Sequence, residues 1–204
     1  MEEEVKRRGK SVKGEQRRAQ VIEAARSSFL DRGYEDFSMR GVASQCNMKL
    51  KNLQYYFPTK EDLFVGITRY YYTDTLRAMK QYPRSSKEPS GKLIALEKVI
   101  LDKWDLHSSA IWTQLFCMAH HSPKMRDLKV EIYENWCTEM VDLLKSYYPR
   151  ASPRKLYKVA RILAALIDGF VFARTERIGE STDFVALQKD ILKASKLIAE
   201  THLV

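Results

Sequence analysis

A disulfide framework is absent from this chain: its 204 residues hold three cysteines, an odd and unclustered set that suits a reducing cytosol. The opening MEEEVKRR has no apolar core, so no signal peptide is read there and a cytoplasmic location is expected. Long apolar runs are missing too. The most apolar stretch, Val159 to Ala173, is too short to span a bilayer comfortably and carries Asp168, so it reads as a buried helix and no membrane partner is expected. No glycine-rich phosphate loop, G-x-S-x-G elbow or nucleophile with a suitable base occurs, so catalysis has no residues to rest on and no cofactor is expected. Cys117, His120 and His121 form C-x-x-H-H, with Cys117 and His121 one helical turn apart, but no third ligand follows at a recognisable spacing, and no metal is expected. Neither an alternating strand pattern nor an internal repeat nor a low-complexity tract is present.

What is there is helix and positive charge. A composition of 45% hydrophobic and 30% charged residues suits one or two compact domains. A net charge of +9 predicts attraction to polyanions. The stretch SMRGVASQCNMKLKNLQYYFPTKEDLF, Ser38 to Phe64, reads as two short helices joined by a tight turn and a third helix starting at Thr59, which is a helix-turn-helix. Ser38 caps the first helix, and Val42, Ala43 and Cys46 share one face. Asn47 stands where the chain must turn, being one of the few residues besides glycine that tolerates a left-handed backbone. Leu53 and Phe57 point inward. Lys49, Leu50, Lys51, Gln54 and Tyr55 are left outside, a set suited to a groove of DNA, and Arg40 and Asn52 join them as candidate contacts.

Residues 1–14 are expected to be irregular, either a solvated tail or a basic arm that tracks phosphates or enters the minor groove. From Glu15 to Arg32 a helix carries Ile22, Ala25 and Phe29 on one side and stops at Gly33. The helix from Thr59 to about Tyr82 changes neighbours part-way, and Tyr70, Tyr71 and Tyr72 cannot all face the core. A linker, YPRSSKEPSG, follows from Tyr82 to Gly91. Helices are then expected at about 91–106, 109–120, 123–148, 152–178 and 182–202, with Ser152 and Pro153 supplying a cap and a proline at the first helical position. The domain plan is an arm over 1–14, a DNA-binding domain over 15–60 and a larger helical domain over 61–204.

In the last two helices, apolar and small residues extend around more of the surface than one core contact needs. Leu163, Ile167, Phe184, Leu187, Ile191 and Ile198 are the candidate dimer residues, and two such helices from each of two chains would close a twofold four-helix bundle. A symmetric dimer also suits a pseudo-palindromic operator. Trp104, Trp112, Phe116, Trp136, Asp168 and Phe170, with Tyr133 nearby, are candidates to line a ligand pocket, although aromatics at helical spacing serve equally as core. Asp168 must be paired across a helix contact by an Arg or a Tyr hydroxyl, or else hold a cationic ligand together with a tryptophan such as Trp112.

The helix-turn-helix, with the pattern V-A-x-x-x-N-M-x-x-x-x-L-x-Y-Y-F-x-T-K-E-D-L-F, resembles the signature of the tetracycline-repressor (TetR) family, and RRAQVIEAARSSFLDRGYEDFSMRGVA from Arg17 resembles that family's first helix. LAALIDGFVFA is similar to a segment of its betaine-regulator branch. The sequence departs from the signature at Asn47 for a turn glycine, Lys49 for a capping serine, Lys51 for a glycine and Gln54 for a phosphate-binding tyrosine. The resemblance implies an all-α protein with an N-terminal three-helix DNA-binding domain and a larger C-terminal ligand-binding and dimerisation domain. It implies a homodimeric regulator, more often a repressor, released from double-stranded DNA by a small-molecule effector. Lys60 inherits the role of gripping a phosphate, with Ser38 and Tyr55 beside it. Two alternatives stay open: a DNA-binding dimer without an effector, and a soluble helical small-molecule binding protein.

Overall fold

The computed structural model describes the backbone of residues 2–81, 89–103, 106–173 and 182–204, and the side chains of 13–80, 89–102, 107–173 and 185–204. All the described regular structure is helical. The chain divides into two compact units, residues 1–71 and 72–204. Most of the expected linker and Trp104 lie outside the described residues.

In the first unit α1 (Glu2–Asp36) is interrupted only at Gly33, whose φ of 73° marks the left-handed stop that the sequence places there. The helix begins at Glu2, so the backbone over residues 2–14 is helical where an irregular arm was expected, with the helix starting only at Glu15. Then follow α2 (Met39–Gln45) and α3 (Leu50–Tyr56). Ser38 caps α2, its Oγ accepting from the Gly41 amide at 3.2 Å.

Four signals close the turn between them. Asn47 has φ 49°, the Cys46 amide donates to the Val42 carbonyl at 3.0 Å, the Asn47 amide to Ser44 at 3.0 Å and the Met48 amide to Ala43 at 2.9 Å. The last two bonds are the paired closure of a Schellman turn. Thr59 opens α4 (Lys60–Gln81): its amide donates to Asp62 Oδ2 at 3.1 Å, and the Asp62 amide donates back to Thr59 Oγ1 at 3.0 Å. Leu53 and Phe57 do point inward, and with Val21, Ala25, Phe29, Phe37, Leu63 and Phe64 they form the core that fixes the angle of α3. Phe64 meets Phe29 at 5.3 Å and Tyr34 at 5.4 Å between ring centroids.

The second unit contains α5 (Pro89–Lys103), α6 (Leu106–Ala119), α7 (Pro123–Tyr147), α8 (Pro153–Ala173) and α9 (Thr182–Leu203). Helix α7 packs on α5, α6 and α8, while α9 packs on α5 and α8. Ser122 and Ser152 cap α7 and α8 with a proline next in sequence. Ser108 and Ser109, at the expected boundary between helices 91–106 and 109–120, are buried inside α6. No described helix is long and apolar enough to cross a membrane.

Two of the candidate dimer residues are corrected here. Leu163 and Ile167 are 0% and 5% exposed and belong to the chain's own core. They share the buried stripe of α8 with Leu156, Val159, Ala160 and Phe170. The outward side of α8 instead carries Ala165, Gly169 and Phe172. On α9, Leu187 is exposed, and Ile191 and Ile198 are half-buried. The side chain of Phe184 lies outside the described residues.

Candidate nucleic-acid interface and ligand cleft

The short helix α3 rests on Leu53 and turns its other sides to solvent. Lys49, Lys51, Asn52 and Gln54 are exposed, Leu50 is half-buried, and Tyr55 is 84% exposed. Lys49 stands at the N-cap position without a side-chain bond to the helix, so its ammonium is not spent on capping. Ser38 and Arg40 are exposed at the start of α2, with the Ser38 hydroxyl engaged by the Gly41 amide.

Lys60 is placed differently from a simple phosphate ligand. Its Nζ donates to the Glu35 carbonyl at 3.0 Å and lies 4.5 Å from the centre of the Tyr34 ring. The ammonium thus ties the start of α4 to the end of α1, with donors left over for a further partner.

Sequence reasoning missed Arg17. Its Nη2 donates to the Cys46 carbonyl at 2.8 Å and its Nη1 to Gln20 Oε1 at 2.9 Å. A charged residue on a first helix carries no mark of such a contact, since Cys46 is 29 positions away.

In the second unit a cleft is lined by Tyr72, Thr75, Trp112, Ile132, Tyr133, Trp136, Ala164, Ile167 and Asp168. Its enclosed part is small, about 30 Å³, room for about two waters. With its open mouth the whole cleft holds about 390 Å³. Trp112, Trp136 and Asp168 are brought together there. Phe116 stacks between Trp112 and Phe172 and does not line the cleft, and Phe170 is buried in the core. Tyr72, Thr75 and Tyr133 complete the lining, and only the helix packing reveals the first two.

Asp168 sits at the centre of this cleft. Trp112 Nε1 donates to its Oδ1 at 3.1 Å, and the Tyr133 hydroxyl donates to its Oδ2. Both donors are neutral. Burial pushes the carboxyl up from its ordinary range, against the two hydrogen bonds and the more distant Lys129, which hold it down. Burial, reinforced by Asp168, likewise pushes up the Tyr133 hydroxyl, which stays protonated as a donor. The Tyr72 hydroxyl is buried with no partner among the described residues. What results is an aromatic-walled cleft holding a carboxylate whose two bonded partners bring no positive charge. Cys117, His120 and His121 lie away from it on the surface, and among the described residues no group of three metal-ligating side chains is assembled.

Residues 21–67 match the family model described as bacterial regulatory proteins, tetR family. The BetI transcriptional regulator of the helix-turn-helix type from Burkholderia mallei is 28% identical over 180 residues, covering 85% of this chain and 88% of the relative. Among solved structures, a transcriptional regulator from Rhodococcus is 18% identical with a TM-score of 0.74, covering 92% of this chain and 98% of the other. A regulator from Saccharomonospora viridis, solved in complex with choline, is 19% identical with a TM-score of 0.68 and covers 93% and 98%. These two carry the fold, while the matched residues 21–67 coincide with the core, turn and caps of the helix-turn-helix described above. Residues 21–67 thus carry the helix-turn-helix domain of the tetR family of bacterial regulatory proteins, and along most of its length the chain is similar to BetI transcriptional regulators.

Proposed function

We propose that this regulator is a homodimeric repressor released from its operator by a small organic cation. The observation that carries the reading is Asp168, a carboxylate walled in by Trp112, Tyr133 and Trp136 and bonded, among the described residues, to neutral donors only. A cation with an apolar shell would satisfy the charge and the ring faces together. Choline is of that class, and the Saccharomonospora viridis regulator is solved with it. On the DNA side Lys49 and Lys51 suit guanine edges, Gln54 suits adenine, Leu50 a thymine methyl, and Tyr55, Ser38 and Lys60 the phosphates. The exposed row Ala165, Gly169 and Phe172 of α8, with Val185, Leu187 and Leu197 of α9, supports a twofold contact through these helices.

Two of the cleft residues, Tyr72 and Thr75, belong to α4, the helix that starts at Lys60 beside the recognition helix. A guest that displaces them acts on that continuous helix, and fixed half-sites accept only one spacing of the two α3 helices. Release requires that the guest prefer the other spacing. The small enclosed volume favours a second reading, a DNA-binding dimer with no effector.

Calorimetry and a gel shift with choline and its neutral carbon isostere decide between them. The cation is expected to bind and lower operator occupancy, the isostere to do neither, and Asp168→Asn to lose the response. Equal binding of cation and isostere, or no binding of either, would overturn the cation reading.

A further inference from the structure

Helix α2 ends at Gln45 with Cys46 as its C-cap, and its closing turn satisfies the carbonyls of Val42, Ala43 and Ser44 through the amides of Cys46, Met48 and Asn47. The Cys46 carbonyl is the one that Arg17 takes, from α1, at 2.8 Å. That carbonyl immediately precedes Asn47, the left-handed residue whose dihedrals set the direction of α3. A bond there restrains the pivot of the recognition helix.

The guanidinium has five N–H donors in a fixed fork. One is used on Cys46 and one on Gln20. The same side chain lines an open groove with Asn47, Met48, Lys49, Asn52, Tyr55 and Tyr56. Two cations and four neutral polar side chains line this groove, and among the described residues no carboxylate does. The groove on the other side of Arg17 does contain an acid, Glu23, which is engaged by Arg26. The anion-seeking side is therefore the one that holds Lys49, Asn52 and Tyr55.

We propose that Arg17 has a double role in operator binding: it positions α3 by holding the Cys46 carbonyl, and with Lys49, Asn52 and Tyr55 it seats one phosphate of the DNA backbone. The inference rests on the reading of α3 as the groove-facing helix. It adds α1 to the contact surface and makes the charge and the fork of Arg17 separately necessary. A lysine at 17 can hold the carbonyl or meet the phosphate, but it lacks the planar fork that does both.

The test uses the full chain, a duplex selected by the wild-type protein from a randomised pool, and an unrelated duplex of equal length. Binding to each is followed over a series of salt concentrations for wild type, Arg17→Ala and Arg17→Lys. Removal of the charge is expected to flatten the plot of log affinity against log salt by about 0.9 per copy. Arg17→Lys is expected to keep the slope yet lose discrimination between the two duplexes. That readout separates positioning from stability, because a merely loosened fold leaves both slope and discrimination unchanged. If Arg17→Ala melts early, Arg17→Lys still carries the discrimination arm. An unchanged slope in Arg17→Ala overturns the phosphate seat, and unchanged discrimination in Arg17→Lys overturns the positioning role. Wild-type binding indifferent to salt would instead sink the interface on which both depend.

Discussion

Glu97 gives the sharpest stability prediction. It stands on α5, which packs against α7 and α9. Its side chain is 1% exposed, and neither carboxyl oxygen has a hydrogen-bond partner among the described residues. The Ser195 hydroxyl of α9 lies beside it and partly offsets the burial, without reaching hydrogen-bond geometry on either oxygen. Burial pushes the carboxyl up from 4.5 to about 8. The folded state therefore retains a proton that the unfolded chain has lost, everywhere between those two values. Stability is greatest below the lower value and declines as pH rises through the window. Each unit of pH costs about 1.4 kcal/mol, so the whole window is worth on the order of 5 kcal/mol. Glu97→Gln keeps the shape and removes the proton, so its contribution is flat. Urea unfolding at a series of pH values should show the wild type and Glu97→Gln close together near pH 5 and the variant clearly more stable near pH 8. Taking the difference cancels every other titrating group. Parallel curves would refute the claim that this carboxyl is folded in its neutral form.

Three further outcomes follow from local geometry. Asn47→Ala should cost about 1–2 kcal/mol in thermal unfolding, because φ of 49° suits asparagine or glycine, while Asn47→Gly should be close to neutral. Gly66→Ala would bring a methyl to 2.7 Å from Phe57 Cε1, so the ring that ends α3 must shift; a loss of about 1–3 kcal/mol and weaker DNA binding are expected by melting and gel shift. A Cβ added at Gly169 meets nothing within 4 Å among the described residues of the single chain. Gly169→Trp should therefore fold normally yet sediment as a monomer, and a dimer that survives it would place the twofold contact elsewhere.

The parts of this protein that could be read from its sequence are those written in short-range code. Asn47, Gly33, Ser38 and Thr59 each announce a backbone conformation or a cap within four residues, and all four act as the sequence implies. The inward and outward sides of α3 follow from one apolar residue, Leu53, and the Phe57 that follows the helix. The cleft was legible only in part. Trp112, Trp136 and Asp168 announce themselves by bulk or by a charge in an apolar run. Tyr72 and Thr75 belong to α4, and only the packing of helices remote in sequence brings them to the same space. Leu163 and Ile167 show the limit of periodicity, which finds an apolar stripe but does not tell whether the chain's own core or a second copy covers it. Arg17 shows another limit: a polar side chain on a helix looks solvated until the carbonyl it meets is located.

On the proposed cation reading, the small enclosed volume of the Asp168 cleft would set the concentration at which the protein responds. A guest larger than two waters would fit the enclosed part only in those molecules in which Trp112, Trp136 or Tyr72 had swung aside, and its apparent affinity would fall with the fraction of molecules in that state. A protein built this way would ignore traces of such a guest and answer to abundance, and enlarging the void by trimming one of those rings would make it respond to scarcity.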